Sequence, residues 1–395
     1  MNITGIAKAI FSLIGGILGP LTTVIVLLFI ISLLLGRGSR FVGFATKSSH
    51  GRHTGTGCFG FLKKLLLLPA VIIIAAFLLR GTFLKDAGGG FATDRNGSIV
   101  LNALDNSISI PIDANTVENF DHNLEYYIDH ADSYEYNSEL SHLLISLGNA
   151  VGDAEWFSDA AESMGFPPGK EYRRVNYDMS KMPVAYCICK KPLPDGKTLL
   201  LGVIRGTFTD EEKLSNADIE PDNSGRHRGF SENADHFYDA LFDCLGDADL
   251  NKTVFVLTGH SRGAAIANIV ASELFDQRIS GHNIYCYCFA CPDTAFLTPE
   301  TAGSYKCIFN IGNIKDLVSW IPWYYVKYSG AKYGLSPDRY WDKYGQSYWF
   351  STDNWSSVDY PGFDVHDQKI YFEILRKEPK FKKFKNKKEA STYIK

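Results

Sequence analysis

The first 85 residues contain no aspartate or glutamate, although they carry nine Lys or Arg side chains. The next 290 residues hold 22 basic and 42 acidic side chains, a net charge of −20, and residues 376–395 return to nine basic and two acidic ones. The acidic middle argues against nucleic acid as a partner, because phosphate binding requires a basic folded surface. The chain also lacks the paired Cys and His clusters that zinc requires, so no metal site is predicted. Disorder is excluded for most of the 395 residues, because 45% of them are apolar.

Long apolar runs occur in the acid-free N-terminal part. Residues 9–35 carry no charge, and as a helix they extend about 40 Å, enough to cross a hydrocarbon layer of ~30 Å. A second run, Leu65–Leu79, is shorter and contains Pro69, and with its flanks it predicts a span over about 61–84. An interfacial or re-entrant helix is the alternative for this second run. Residues 1–85 are therefore predicted to form a membrane anchor, a transmembrane helical hairpin.

The loop between the predicted spans determines the expected topology. Between the two apolar runs, residues 9–35 and Leu65–Leu79, lie six basic residues and no acidic one, which are Arg37, Arg40, Lys47, Arg52, Lys63 and Lys64. By the positive-inside rule this loop is cytoplasmic, so two complete spans place the large domain on the extracytoplasmic side of the membrane. If the second run does not cross, the same rule places the domain in the cytoplasm.

A polar, glycine-rich stretch predicts a linker over residues 86–119. Seven of the eight cysteines lie beyond the predicted spans, and two pairs, Cys187/Cys189 and Cys286/Cys288, are spaced by two in strand-like runs. Alternate residues of a strand point to the same face, so this spacing favours buried free thiols over disulfide bridges.

Strand-like and helix-like runs alternate through the middle of the chain. Predicted helices cover Ser138–Val151, Glu155–Met164, Phe237–Leu245 and Arg262–Phe275, and a last one begins at Ile370. Predicted strands cover Val184–Lys190, Thr198–Arg205, Thr253–Thr258, Asn283–Ala290 and Lys306–Ile311. This alternation is typical of an α/β fold with a mostly parallel sheet and helices on both faces.

The sequence Gly-His-Ser-Arg-Gly at residues 259–263 follows a predicted buried strand and opens a predicted helix. A nucleophile elbow requires this context, because its serine occupies a strained turn in which glycines two residues before and after avoid steric clash. The helix N-terminus also favours negative charge developing beside Ser261. We therefore predict that Ser261 is a nucleophile; the alternative is a glycine-rich turn without a chemical role.

A nucleophilic serine requires a base and an orienting acid, and after such an elbow they follow in the order Ser, Asp, His. His366, just ahead of the last predicted helix, is the predicted base, whereas His282 comes too soon and is interpreted as a surface loop residue. Asp316 follows a predicted strand and is the predicted acid, since α/β sheets place site residues at the carboxyl ends of strands. Asp293 also follows a strand and is the competing candidate.

Five motifs, in this order, resemble those of class 3 lipases, the α/β-hydrolase family of fungal triacylglycerol lipases and plant phospholipases A1. They are Val-Ile-Arg-Gly-Thr at 203–207, His-Arg-Gly-Phe at 227–230, the elbow at 259–263, Tyr-Cys-Phe-Ala-Cys-Pro at 287–292 and Asp-x-Val-x-x-x-Pro at 316–322. The resemblance covers roughly Glu125 to Leu375 and implies an α/β-hydrolase domain over residues 120–375. Two departures are Ala290, where the family has glycine, and the polar residues 209–213, where the family has an apolar helical lid.

The resemblance implies a serine hydrolase that cleaves carboxylic esters of lipids without a cofactor, and the predicted spans at residues 9–35 and 61–84 would anchor it in a membrane. The resemblance also implies that Ser261, His366 and Asp316 form the triad, and that Thr207 and the backbone N–H of Arg262 form the oxyanion hole. The alternatives are an acyltransferase using the same residues and a catalytically silent envelope protein that binds without reaction.

Two further regions have open interpretations. Fifteen aromatic residues between Trp320 and Phe363 form either core filling or a flap that binds acyl chains or faces the membrane. Residues 376–395 form a predicted basic tail, either a solvated disordered end or a contact for anionic lipid or an envelope polymer.

Overall fold

The structure is a computed structural model that describes residues 92–93, 99–100, 107–179, 184–207, 216, 218–323, 339–352 and 362–394. Both predicted membrane spans, the basic loop between them and the polar residues 209–213 lie outside these ranges. Within the described ranges, no helix has the length and apolar character needed to cross a membrane.

The chain divides into two compact units, Met1–Val100 and Leu101–Lys395. In the first unit, two short strands, β1 (Ala92–Thr93) and β2 (Ile99–Val100), pair antiparallel. All elements named below belong to the second unit.

Twelve strands are described in the second unit. They are β3 (Ile108–Asp113), β4 (Thr116–Phe120), β5 (Arg173–Asn176), β6 (Tyr186–Pro192), β7 (Thr198–Ile204), β8 (Thr253–His260), β9 (Ile284–Phe289), β10 (Ala295–Leu297), β11 (Ile308–Asn313), β12 (Tyr340–Asp342), β13 (Gln346–Phe350) and β14 (Lys382–Lys383). The described α-helices are α1 (Leu124–His130), α2 (Ser138–Ala150), α3 (Ala154–Ser163), α4 (Arg228–Leu245), α5 (Arg262–Asp276), α6 (Pro299–Ser304), α7 (Gln368–Leu375) and α8 (Lys387–Ala390).

Eight strands form the central sheet in the order β14-β13-β11-β9-β8-β7-β6-β5. The five strands from β13 to β7 pair in parallel, and the antiparallel pairs lie towards the two edges. The predicted mostly parallel sheet is therefore confirmed. Because the parallel strands share one direction, the residues that follow β8 and β11 emerge at the same edge of the sheet.

Strand β8 lies inside the sheet and is buried along its whole length. Val254 and Val256 belong to the hydrophobic core that contains α2 and α7 residues, whereas Phe255 and Leu257 belong to the core that contains α4 and α5 residues. This alternation follows from the two-residue period of a strand, and it shows that helices cover both faces.

Helix α4 begins nine residues before the predicted start at Phe237. Its first turns carry many polar side chains, but Phe230, Ala234, Phe237 and Leu241 are spaced by three or four residues and are all buried. A narrow apolar stripe of this kind is sufficient for a helix that contacts the core on one side only.

The predicted linker over residues 86–119 is wrong in its second half. Strands β3 and β4 form an antiparallel hairpin there, and Ile108, Ile110 and Ile112 of β3 are buried in the core. The alternation of isoleucine with other residues in this strand is a two-residue pattern, which was the available sequence signal.

The predicted basic tail is not a disordered end over its described part, residues 376–394. Strand β14 pairs with β13, joining Lys382 to Trp349 and Lys383 to Tyr348, and the side chain of Lys387 is buried. A count of charges could not reveal this, because the pairing of β14 depends on a strand more than 30 residues earlier in the chain.

All seven cysteines in the described ranges are free and buried, which confirms the interpretation of their spacing. In the aromatic region, eight of the nine described members are buried, and Phe363 is 64% exposed. The buried members are Trp320, Trp323, Tyr340, Trp341, Tyr344, Tyr348, Trp349 and Phe350. Residues 324–338 and 353–361, to which a flap would belong, lie outside the described residues.

Candidate active site

Ser261 lies in the sharp turn between β8 and α5. Its φ is 57° and its ψ is −125°, a backbone conformation that is strained for a residue with a side chain. The backbone N–H of Ser261 donates to the carbonyl oxygen of Phe289, at the end of neighbouring strand β9, over 2.9 Å. The hydroxyl is thus held at the carboxyl edge of the sheet.

The two glycines of the elbow are required by close contacts. A Cβ at Gly259 would lie 2.5 Å from the carbonyl carbon of Gly263, and a Cβ at Gly263 would lie 2.3 Å from the carbonyl oxygen of Ile204. Both distances are far below van der Waals contact, so the tight approach of α5 to β7 and β8 depends on glycine at both positions.

Ser261, His366 and Asp316 form a continuous chain of hydrogen bonds. The Nε2 atom of His366 lies 2.8 Å from Ser261 Oγ, and Nδ1 lies 2.9 Å from Asp316 Oδ2. Since the carboxylate can only accept, Nδ1 carries the proton and Nε2 is free to take one from the serine. The Asp316 side chain has no exposure, whereas that of His366 is 21% exposed and Ser261 is also partly exposed, so the acid is buried behind the two reacting groups.

Three further hydrogen bonds fix the carboxylate of Asp316, and the longest of them runs from the Ser319 hydroxyl to Oδ2 over 3.4 Å. The backbone N–H of Val318 donates to Oδ1 over 2.9 Å, and the hydroxyl of Tyr371 donates to Oδ2 over 2.7 Å. Burial, with the charge of Asp316, raises the pKa of Tyr371 well above its usual value, so this hydroxyl stays protonated. Tyr371 was not predicted from the sequence, because only its contact distinguishes it among 21 tyrosines.

The competing candidates lie in other surroundings. Asp293 is buried but contacts the ammonium groups of Lys343, at 3.2 Å, and of Lys387. His282 is 65% exposed in a 3₁₀ turn and lies 3.7 Å from Asp132, in agreement with a surface loop residue. The structure therefore brings Asp316, and not Asp293, to His366.

Thr207 and Arg262 lie beside the serine. Thr207 follows β7, and a Cβ on the preceding Gly206 would lie 3.7 Å from Ser261 Cβ. Thr207 Oγ1 accepts from Asn216 Nδ2 over 2.8 Å, which leaves the threonine hydroxyl proton available to a ligand. Arg262 opens α5, where backbone N–H groups have no acceptor within the helix. Asn216 was not predicted, since its neighbours gave no periodic signal.

His260 packs against the base. Its ring centroid lies 4.9 Å from that of His366, and the side chain is buried. Burial, with the neighbouring His366, lowers the pKa of His260 well below its usual value, so it contacts the base as a neutral ring. The sequence signalled His260 only as the second residue of the elbow.

His227, the first residue of the second family-like motif (residues 227–230), is packed in the interior. Its ring stacks on Phe230 at 3.9 Å, and its backbone N–H donates to Thr294 over 2.8 Å at the start of α4. Burial lowers its pKa to about 4.

Ala290, which replaces the glycine of the family motif, has a φ of 51°. Glycine adopts this conformation without strain, whereas alanine does not. At this backbone position the glycine of the family motif would be less strained than the alanine of this chain.

Within the described residues, no group of His, Cys, Asp or Glu is arranged to hold a metal ion.

The mostly parallel sheet, the elbow and the helices on both faces fit an α/β-hydrolase. The sequence model of the family "Lipase (class 3)" matches residues 203–325, which include Thr207, Ser261 and Asp316 but end before His366. This match supports the class 3 lipase family.

Several solved structures are similar to this chain. The triacylglyceride lipase of Rhizomucor miehei is 20% identical, with 43% of this chain and 63% of that chain covered and a TM-score of 0.31. A lipase from Rhizopus microsporus var. chinensis is 16% identical, with 53% and 73% covered and a TM-score of 0.35. A mono- and diacylglycerol lipase from Aspergillus oryzae is 13% identical, with 65% and 90% covered and a TM-score of 0.37. The chain thus spans less than two thirds of the Rhizomucor lipase, and the comparison with curated proteins gave no match.

Proposed function

We propose that this protein is a serine hydrolase that cleaves carboxylic ester bonds of lipids, acylglycerols or phospholipids. The observation that carries the proposal is the unbroken hydrogen-bonded chain from Ser261 through His366 to Asp316, at a strained strand-to-helix turn. A serine hydroxyl is a weak nucleophile alone and becomes effective when an oriented base accepts its proton. The choice of lipid esters is supported by the match of residues 203–325 to class 3 lipases.

In the proposed reaction, Ser261 Oγ attacks the acyl carbon while His366 Nε2 takes the hydroxyl proton. The charge on the tetrahedral oxygen is stabilised by the Thr207 hydroxyl and the backbone N–H of Arg262. His366 then gives the proton to the leaving alcohol, which leaves an acyl group on Ser261. A water molecule, deprotonated by His366, then attacks the acyl carbon, and the imidazolium returns its proton to Ser261 Oγ as the fatty acid leaves. Asp316 stabilises the imidazolium in both halves.

A panel of substrates tests the proposed function. We expect the purified full-length protein to react with a fluorophosphonate and to hydrolyse acylglycerols or phospholipids, with little turnover of matched amides. Labelling together with acyl transfer to an added alcohol, and without hydrolysis, would favour the acyltransferase. Absence of both labelling and turnover would favour a silent binding protein.

We extend the proposal to the membrane. Two spans, with the hydrolase unit on the extracytoplasmic side, are supported by the apolar runs at residues 9–35 and 61–84 and by the acid-free basic loop between them.

We also propose that exposed lysines of the basic tail contact anionic lipid or an envelope polymer, and they are Lys380, Lys383, Lys385 and Lys388. Salt-sensitive cosedimentation with anionic vesicles, absent with neutral ones, tests the lipid contact.

Protease added to intact spheroplasts tests the topology. We expect the hydrolase unit to be digested while the basic loop is spared, because basic residues near span ends stay in the cytoplasm. A matched sample permeabilised with detergent shows that the protease can cut both parts. Protection of the hydrolase unit until permeabilisation contradicts the second span and moves the substrate to the cytoplasmic leaflet.

A further inference from the structure

A cluster of buried charges lies behind the loop that carries Asp316. Asp293 has no side-chain exposure, and it contacts Lys343 and Lys387, whose side chains are 3% and 2% exposed. The carboxylate of Asp342 attracts both ammonium groups. Asp342 is itself only partly buried, and we refer to Asp293, Asp342, Lys343 and Lys387 together as the buried charge cluster.

The buried charge cluster makes several hydrogen bonds to the loop over residues 316–323, which carries Asp316 and which we refer to as the acid loop. Lys343 Nζ donates to the carbonyl oxygen of Ser319 over 2.9 Å. Asp293 accepts from the backbone N–H of Trp323 over 3.1 Å, and its own N–H donates to the carbonyl oxygen of Ile321 over 2.7 Å. The 3₁₀ turn Leu317–Trp320, which begins directly after Asp316, is therefore fixed from its far end.

Lys387 connects this loop to the basic tail. Its ammonium group lies 5.5 Å from the ring centroid of Trp320 and 5.8 Å from that of Trp323, so it contacts two rings of the acid loop as well as Asp293. Burial lowers the pKa of Lys387 to about 8, against the attraction of Asp293, so the group stays charged at neutral pH. Loss of this charge leaves an excess carboxylate in the interior, which is strongly unfavourable.

We propose that Lys343 and Lys387 are positioning residues, which neutralise Asp293 and thereby keep Asp316 within hydrogen-bond distance of His366. The inference rests on the proposed function for its kinetic consequence. Through Lys387, the basic tail thus helps to hold Asp316 and His366 in their relative positions. Small displacements of such groups lower the rate steeply, so the effect appears in kcat more than in KM.

The test replaces Lys387 with methionine, which keeps the length of the side chain without its charge. We expect kcat and the rate of fluorophosphonate labelling to fall about 10- to 100-fold, with KM changed less than about threefold. The acidic limb of the pH–rate profile should move to lower pH, because protonated His366 loses part of its interaction with the carboxylate. Lys306→Met, an exposed lysine outside the basic tail, is the matched control and should leave both readouts unchanged.

A readout without turnover separates this inference from the proposed function. The proton shared by His366 Nδ1 and Asp316 should give a low-field NMR resonance in the full-length protein, and Lys387→Met should weaken or move it. If the parent protein shows the resonance but hydrolyses no ester, the proposed function fails and the resonance alone decides the positioning role. A lower Tm with unchanged kcat, profile and resonance would overturn the role and leave the cluster as a support of the fold. Should Lys387→Met not fold, Lys387→Gln, which retains a donor for Asp293, is measured in the same way.

Discussion

Replacing Ser261 with alanine is expected to lower ester turnover by about 10⁵- to 10⁶-fold and to abolish fluorophosphonate labelling. The large effect follows from the geometry, since Ser261 Oγ is the atom that His366 Nε2 contacts at 2.8 Å. Without the oxygen no acyl group can be held, and only the oxyanion donors and substrate binding remain. Initial rates with a long-chain ester, together with labelling, give the measurement.

The control for this variant lies in the same helix. Ser272 of α5 donates to the carbonyl oxygen of Ile269 over 2.7 Å and is buried, so Ser272→Ala removes a hydroxyl of equal size from the interior. Its turnover per folded molecule should stay within about twofold, because single interior hydrogen bonds affect stability more than chemistry. Labelling that persists in Ser261→Ala would show that another residue is the nucleophile.

Asparagine at position 316 is expected to lower turnover by about 10⁴-fold, with labelling reduced in parallel. The amide keeps the size of the side chain but cannot stabilise the imidazolium, and it favours the wrong tautomer of His366. The carboxylate also accepts from Val318 and Tyr371, so the neutral amide loses charge-assisted hydrogen bonds on several sides.

Asp293→Asn is the matched comparison, because both carboxylates are fully buried and burial alone does not distinguish them. This change removes the carboxylate that contacts Lys343 and Lys387 directly and leaves Asp342 as the remaining carboxylate of the cluster, and breaking such a buried pair destabilises a protein by about 3–5 kcal/mol. Turnover per folded molecule should fall far less than in Asp316→Asn, even with the displacement of the acid loop proposed above. A larger loss at Asp293, after correction for the folded fraction, would make Asp293 the acid.

Local patterns predicted the parts of the fold that local chemistry determines. The elbow at residues 259–263 combines a buried strand, two glycines and a helix start, and each of these has a sequence pattern that can be recognised within a few residues. The start of α4 was missed because its apolar stripe is narrow. The hairpin of β3 and β4 was missed because polar residues surround its three buried isoleucines.

Contacts between residues far apart in the sequence could not be predicted from it. Tyr371 and Asn216 contact Asp316 and Thr207 through single side-chain hydrogen bonds, and no periodicity marks them. The structure places Asp316, and not Asp293, beside His366, but the partners of Asp293 could not be foreseen from the sequence. One of them, Lys387, lies 94 residues away within residues 385–389, a stretch of five hydrophilic residues.

Strand β14 also affects the tendency of copies of this protein to associate. It is two lysines long and covers the outer side of β13, which would otherwise present unpaired backbone groups along an aromatic strand. Short, lysine-bearing outer strands discourage edge-to-edge association between sheets of separate molecules. A recombinant form that ends before residue 380 would therefore expose the unpaired edge of β13, and we expect it to associate through that edge. Tags or fusions at this end should be joined beyond residue 394.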